Sequence, residues 1–303
     1  MDWKGDALIL GIRKHGETSA SGFSLLMAHQ KTRKCDENKL PRRQSWNQLM
    51  DWKDDALILG IRKHGETSAI VEAMTARHGR CLGLVRGGRS SRMRAVLQPG
   101  NSVQLEWRAR LEEHLGIFQI EAEKLRAAEL MDTQLGIYGL QTVAGHLRLL
   151  PERDAHHGLY QAALVMLDHL DEPQKAARLL IRFELALLDE LGFGLDLNSC
   201  AATNQPEELI WVSPKSGRAV SRIAGKPYED RLLALPQFLL DPPVRDLQQV
   251  SGKTDSTLLR EGFDLAFHFL DRNVYGPRGI RPPDERAGLI RKITKLIDNE
   301  EQG

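Results

Sequence analysis

Cysteine is scarce in this chain of 303 residues, and Cys35, Cys81 and Cys200 stand far apart. Three scattered thiols supply neither a disulfide framework nor a Cys-x-x-Cys metal or redox pair. Long apolar runs are missing too, and no stretch approaches the roughly 18 residues that cross a bilayer, so no membrane role is expected. The one apolar stretch near the N-terminus, Ala7 to Ile12, has acidic residues before it and no small-residue cleavage site after it. That argues against a secretory signal and for a cytoplasmic protein. A large charge excess is absent, the net charge being +1. What remains, 41% apolar and 27% charged residues, is the make-up of an ordinary globular chain and excludes wholesale disorder, collagen-like repeats and coiled coil. At about 150 residues per domain the length points to two domains.

The balanced total conceals an uneven layout. Residues 1–49 carry nine Lys and Arg against five Asp and Glu, residues 50–130 carry 13 against 11, and residues 131–303 carry 20 against 25. Local clusters, not the overall isoelectric point, therefore decide whether nucleic acid is a partner.

An internal repeat stands out. MDWKGDALILGIRKHGETSA at 1–20 recurs at 50–69 with one change in 20, Gly5 against Asp54. Solenoid units diverge and occur three or more times, so this is a recent duplication and not an architecture. Residues 1–49 are expected to be a poorly ordered leader or extension, with Met50 opening the complete protein. Ala7 to His15 repeats Ala56 to His64 without a change, so the two copies should pair equally well locally, and the shorter connection to the next strand favours the later one. An alternative role for the leader is a basic arm touching nucleic acid through Lys31, Arg33, Lys34, Lys39, Arg42 and Arg43.

Residues 50–130 form the first domain. DALILGIRKHG, TSAIVEAMTARHG, RCLGLVRGG, NSVQLEWRAR and HLGIFQIEAE read as five short strands bounded by Gly, Pro, Asn or charged turn residues. Val103, Leu105 and Trp107 alternate with Gln104, Glu106 and Arg108, which buries one face and wets the other. Five strands in so short a span predict a closed barrel of the oligonucleotide-binding kind, with an SH3-like barrel as the alternative. From residue 131 to 303 the period becomes helical: Leu135 to Leu150, Gly158 to Leu170, and Pro173 to Leu191 with Gly192 as its stop. Leu259, Phe263, Ala266, Phe267 and Leu270 share one helical face and are expected in the core. A final amphipathic helix near Asp284 to Asn299 reads as peripheral. Within 194–240, LIWVS and GRAVS predict a small inserted β-hairpin. The fold class is thus α+β in two domains.

The stretch of greatest chemical interest holds Arg77, Arg80, Arg86, Arg89, Arg92 and Arg94 and no acidic residue. Guanidinium forks pair with phosphate oxygens, while Gly87, Gly88, Ser90 and Ser91 let backbone N–H groups approach a nucleic-acid backbone. On a barrel rim this loop would form one wall of a groove for single strands. Arg62 and Lys63 on the first strand are weaker candidates. Trp107 and Phe118 are expected in the core and not as base-stacking platforms. Catalytic constellations are missing. SGKTD at Ser251 to Asp255 lacks the first glycine of a phosphate-binding loop, its place being taken by Leu247, and His156 and His157 lack a metalloprotease context. No catalytic residue is assigned.

These segments resemble the family of the bacterial DNA repair and recombination protein RecO. The likeness covers most of residues 53–280: ALILGIRKHGETSAIVEAMTARHGR, GLVRGGRSSRMRAVLQPGN, VQLEWRAR, FELALLDELGFGLDLNSCAATN and VSPKSGRAVSRIAGKPYEDRLLALPQFL. Residues 1–49 lie outside it. The resemblance implies an oligonucleotide-binding barrel joined to a helical domain, acting as a recombination mediator and not an enzyme, in the cytoplasm at the nucleoid. It implies binding to single- and double-stranded DNA, annealing of complementary strands, and work with RecR, and in some contexts RecF, to load RecA onto DNA coated by single-stranded DNA-binding protein. DNA contact then falls to the six arginines above. Many relatives hold zinc with four cysteines around the hairpin; here only Cys200 remains, with Thr203, Ser213 and Ser221 nearby, so no zinc or other cofactor is expected. The acidic tail of single-stranded DNA-binding protein is expected on the helical domain at a cationic rim of Arg178 and Arg182 beside Phe183. Rival functions are an RNA-binding barrel protein and a partner-docking adaptor without nucleic-acid affinity.

Overall fold

The computed structural model describes residues 50–111, 113–240 and 254–302. The leader with its basic arm, and Ser251 to Lys253 of the SGKTD stretch, lie outside the described residues.

Apolar side chains alternate along the fourth and fifth expected strands and run continuously through ALIL in the first, and all five strands form where the pattern places them. They are β1 (Met50–His64), β2 (Ser68–Thr75), β3 (Gly79–Val85), β4 (Ser102–Ala109) and β5 (Ile117–Lys124). They close in the order β1-β2-β3-β5-β4, every pairing antiparallel except a short parallel contact of β3 with β5 at Leu84 and Ile117. Ile58, Val71, Cys81, Val103, Leu105, Trp107 and Phe118 fill the interior. A one-and-a-half-turn helix, α1 (Ser91–Val96), lies between β3 and β4, capped by Ser90 accepting from the Met93 N–H.

The helical part comprises α2 (Ala127–Met131), α3 (Gln134–Leu147), α4 (His157–Asp168), α5 (Pro173–Glu190), α6 (Arg222–Gly225), α7 (Asp255–Leu270) and α8 (Asp284–Gln302). Thr133 and Thr254 cap α3 and α7 through their hydroxyls, and Pro173 opens α5 as expected. The hairpin forms as β6 (Leu209–Val212) and β7 (Ala219–Ser221), and a third strand, β8 (Leu233–Ala234), adds to the free edge of β6. Two expectations fail. The last helix is central and not peripheral: Leu289, Ile293 and Ile297 are buried, and Arg286 makes a bidentate pair with Glu184 at 2.6 and 2.7 Å. Phe267 is 37% exposed, leaving the core face to lie beneath the Arg286 guanidinium, 5.1 Å away.

The barrel does not stand alone. Leu57, Leu59, Met74 and Ala76 point outward from β1 and the end of β2 and join the core of the helices. Arg148 locks the junction, donating to the Leu59 carbonyl and to Glu72, both at 2.9 Å. At Gly79, with φ +67°, a side chain would sit 1.9 Å from the Asp154 carbonyl oxygen, so only glycine lets β3 and the α3–α4 connection lie together.

Candidate nucleic-acid interface

Beyond the end of β3 the chain turns at Gly87 and carries its arginines across the barrel rim. Arg89 ties this loop to the β1–β2 turn, its backbone N–H donating to Thr67 and its side chain to the Gly65 carbonyl at 2.9 Å. The tie brings together two sets the sequence keeps apart, Arg62 and Lys63 at the end of β1 and Arg86, Arg89, Arg92 and Arg94 on the loop. All six are exposed, and among the described residues no carboxylate pairs with any of them.

Where β3 meets β5 a cleft of about 660 Å³ opens beside this loop. Arg86 and Met93 line it from the β3 side, Arg108, Arg110 and His114 from the β4 side, and Ile117 and Ile120 of β5 between them, over the Phe118 ring that is buried in the barrel. Arg108, Arg110 and His114 are additions the sequence analysis did not make. Their signal was present in WRARLEEH, but the adjacent glutamates cancel the charge along the chain and hide the clustering in space. Arg108 also holds Glu106, whose carboxyl lies below the usual carboxylate range because of that hydrogen bond and a second one from Lys53.

The other two arginines fall elsewhere. Arg77 lies in the β2–β3 turn at the opposite end of the barrel, exposed but bound to Asp54 through its backbone N–H at 2.7 Å and its Nε at 3.0 Å. Arg80, expected among the groove cations, lines the domain junction instead. Its side chain is 14% exposed and pairs with Glu72 at 3.0 Å and Glu152 at 3.4 Å, because its strand position faces the helices.

The expected cationic rim on α5 is also corrected. Phe183 is fully buried, edge-on to His146, and offers no surface. Arg178 pairs with Asp255 at 3.3 Å over the Phe238 ring, and Arg182 donates to the Phe238 carbonyl. Both guanidiniums fasten α5 to its neighbours.

At the hairpin, burial works to raise the Cys200 thiol, but hydrogen bonds from Ser221 and Thr203 and from the Ala202 backbone outweigh it and bring it down to about 6. Thr203 and Ser213 cap turns through their hydroxyls, and one thiol with hydroxyl neighbours does not fit a tetrahedral zinc site. Among the described residues no group of three or more His, Cys, Asp or Glu could hold a metal ion. Cys81 is buried inside the barrel, and that burial pushes its thiol up to about 11. No described helix is long and apolar enough to cross a membrane.

Comparison with known proteins adds a family to this geometry. The model described as recombination protein O N terminal matches residues 50–125, and that of recombination protein O C terminal matches residues 146–282. The chain is 58% identical over 296 residues to the DNA repair protein RecO of Mesorhizobium japonicum, covering 97% of this chain and 94% of that one. It is 52% identical over 304 residues to the DNA repair protein RecO of a Chelativorans species, with 99% of each chain covered. Against the protein of that name from Rhodopseudomonas palustris it is 55% identical over 297 residues, with 98% of each covered.

Proposed function

The chain belongs to the recombination protein O family, and on that premise we propose that it is a DNA repair protein that binds single strands on its barrel and promotes their annealing. The observation that carries this is the cleft between Arg86 on one side and Arg108 and Arg110 on the other, with apolar side chains at its base. Guanidiniums on the rims neutralise phosphates, and the apolar base receives unpaired bases. The ring order β1-β2-β3-β5-β4 fits the five-stranded oligonucleotide-binding barrel, whose β1–β2 and β4–β5 loops border the binding face. Two phosphate backbones repel, and a cationic surface that covers one of them lowers the barrier for a complementary strand to approach. No covalent step is required, so the protein acts as a mediator and not an enzyme. The helical domain recruits partner proteins, RecR, the tail of single-stranded DNA-binding protein and in some settings RecF, towards the loading of RecA. The protein works without zinc, in the cytoplasm at the nucleoid.

The test is anisotropy of a fluorescent single-stranded DNA across a salt series, for the wild type and for the double variant Arg86→Ala, Arg110→Ala. Each phosphate contact contributes a slope of about −0.7 in log affinity against log salt. The double variant is expected to bind more weakly with a slope shallower by about 1.4. An unchanged slope would move the strand off this cleft. Equal displacement of the probe by RNA and DNA of one sequence would favour an RNA-binding role.

A further inference from the structure

We propose that Arg153, on the connection between α3 and α4, is a positioning residue for the strand-binding cleft: it clamps the β4–β5 loop that carries Arg110 and His114, without meeting the strand itself. The inference rests on the cleft being the binding site.

Arg153 has φ +61°, a left-handed conformation that non-glycine residues adopt at a cost and keep only when their surroundings hold them. The surroundings are visible. Its backbone N–H donates to the Arg80 carbonyl at 2.9 Å, so the connection is hydrogen-bonded to the start of β3. From there the guanidinium reaches over the barrel end. Nη2 donates to the His114 carbonyl at 2.7 Å, and the guanidinium carbon lies 5.7 Å from the centre of the Trp107 ring.

Trp107 belongs to a column of rings. Trp52 stacks on it at 5.6 Å, and His78 lies flat on Trp52 at 4.0 Å with 6° between the planes. Asp54 anchors the far end through His78 Nδ1 at 2.9 Å. Arg153 caps the near end, where a cation over an indole face is attracted by the ring quadrupole. Trp107 in turn donates from Nε1 to the Leu115 carbonyl at 3.2 Å. Two successive carbonyls of the loop, His114 and Leu115, are thereby held, one by Arg153 and one by the ring beneath it. The next residue is Gly116, with φ +69°, where a side chain would meet Trp107 Nε1 at 2.0 Å. The His114–Gly116 end of the loop is thus held against the column before any strand arrives, which lowers the ordering cost of binding. A guanidinium committed to a carbonyl and a ring face contributes geometry to the cleft, not phosphate charge.

The full-length chain is titrated with the single-stranded DNA probe across the salt series, with intrinsic tryptophan emission read beside it. Arg153→Ala is expected to bind about tenfold more weakly at every salt with the wild-type slope, and with red-shifted emission as Trp107 loses its cap. Arg153→Lys keeps the charge but not the planar fork and is expected to show the same loss. A slope shallower by about 0.7 in Arg153→Ala, restored by Arg153→Lys, would make Arg153 a direct phosphate ligand and overturn the proposal. Wild-type affinity in Arg153→Ala overturns it too. The double variant Arg86→Ala, Arg110→Ala separates the two levels. If it is weakened while Arg153→Ala is not, only the positioning role falls; if it binds like the wild type, the cleft reading falls and takes this inference with it. Should Arg153→Ala fail to fold by urea titration, Trp107→Phe decides: it keeps a ring, loses the bond to Leu115, and is expected to weaken binding about threefold at constant slope.

Discussion

Asp54 is a carboxylate shut inside the barrel end, where it accepts hydrogen bonds from its neighbour's backbone, from the Arg77 backbone and side chain, and from His78. Burial works to raise its pKa, and the bonds from His78 and Arg77 prevail and lower it. The one difference between the two copies of the duplicated stretch falls at this residue, since Gly5 stands where the second copy has Asp54. This position lies just before the Ala56–His64 stretch for which equal pairing is expected, and a glycine here would leave the Arg77 and His78 donors without their acceptor. Asp54→Gly is therefore expected to cost about 1–3 kcal/mol in urea titration, and a midpoint equal to the wild type would show that the carboxylate matters little. Glu184 makes a sharper pH statement. Burial raises its pKa, but Arg286 and then His146 bring it down to about 2, against about 4.3 in an unfolded chain. A lowered folded pKa contributes stability that is complete above the unfolded value and is lost as pH falls from about 4.3 to about 2. Glu184→Gln should remove that acid limb and, by leaving Arg286 buried without its partner, cost about 3–5 kcal/mol near neutral pH. A wild-type acid limb in Glu184→Gln would assign it to other carboxylates.

Among the elements, what the chain announces locally is what the structure contains. The five strands were legible because each pairs a short apolar-rich segment with a turn signal, alternating in β4 and β5, and Trp107 and Phe118 went inside with their sets. The outward burial of Leu57 and Leu59 was also written in the chain, since ALIL is a continuous apolar run and a strand covered on both faces reads that way. What covers it was not legible, because the partners lie in helices some 90 residues downstream. The same distance hid the place of α8: its charged residues look peripheral until Arg286 meets Glu184, 102 residues earlier. In the candidate site the exposed arginines of one loop were legible, whereas Arg108 and Arg110 become visible only once β3 closes on β5. At the hairpin, hydroxyl and backbone donors surround the Cys200 sulfur. The melting temperature is accordingly expected to be unchanged after dialysis against a strong chelator. A drop of several degrees, reversed by zinc, would show that ligands are recruited from elsewhere.

At the scale of the molecule, the two sequence domains are joined by a shared apolar core and are expected to unfold as one cooperative unit. Leu57, Leu59 and Met74 are each 3% exposed or less, and all three contribute to the core of the helices, not of the barrel. Fully burying a large aliphatic side chain stabilises by about 1.5–3 kcal/mol, so three of them account for roughly 5–9 kcal/mol, on the scale of the ~5–15 kcal/mol that holds a whole domain folded. Arg148 adds direction, because its bonds to Leu59 and Glu72 and the close approach at Gly79 fix how the barrel sits on the helices. A barrel cut away at residue 130 presents this face to water and loses the Arg153 clamp with it. Residues 50–130 alone are expected to show no cooperative melting and to bind dyes that report exposed apolar surface. The full chain should instead unfold in a single calorimetric transition whose van't Hoff and calorimetric enthalpies agree. Two resolved transitions, with the barrel fragment melting at one of them, would mean that the shared core contributes little and that the helices act on the cleft only through the partners they recruit.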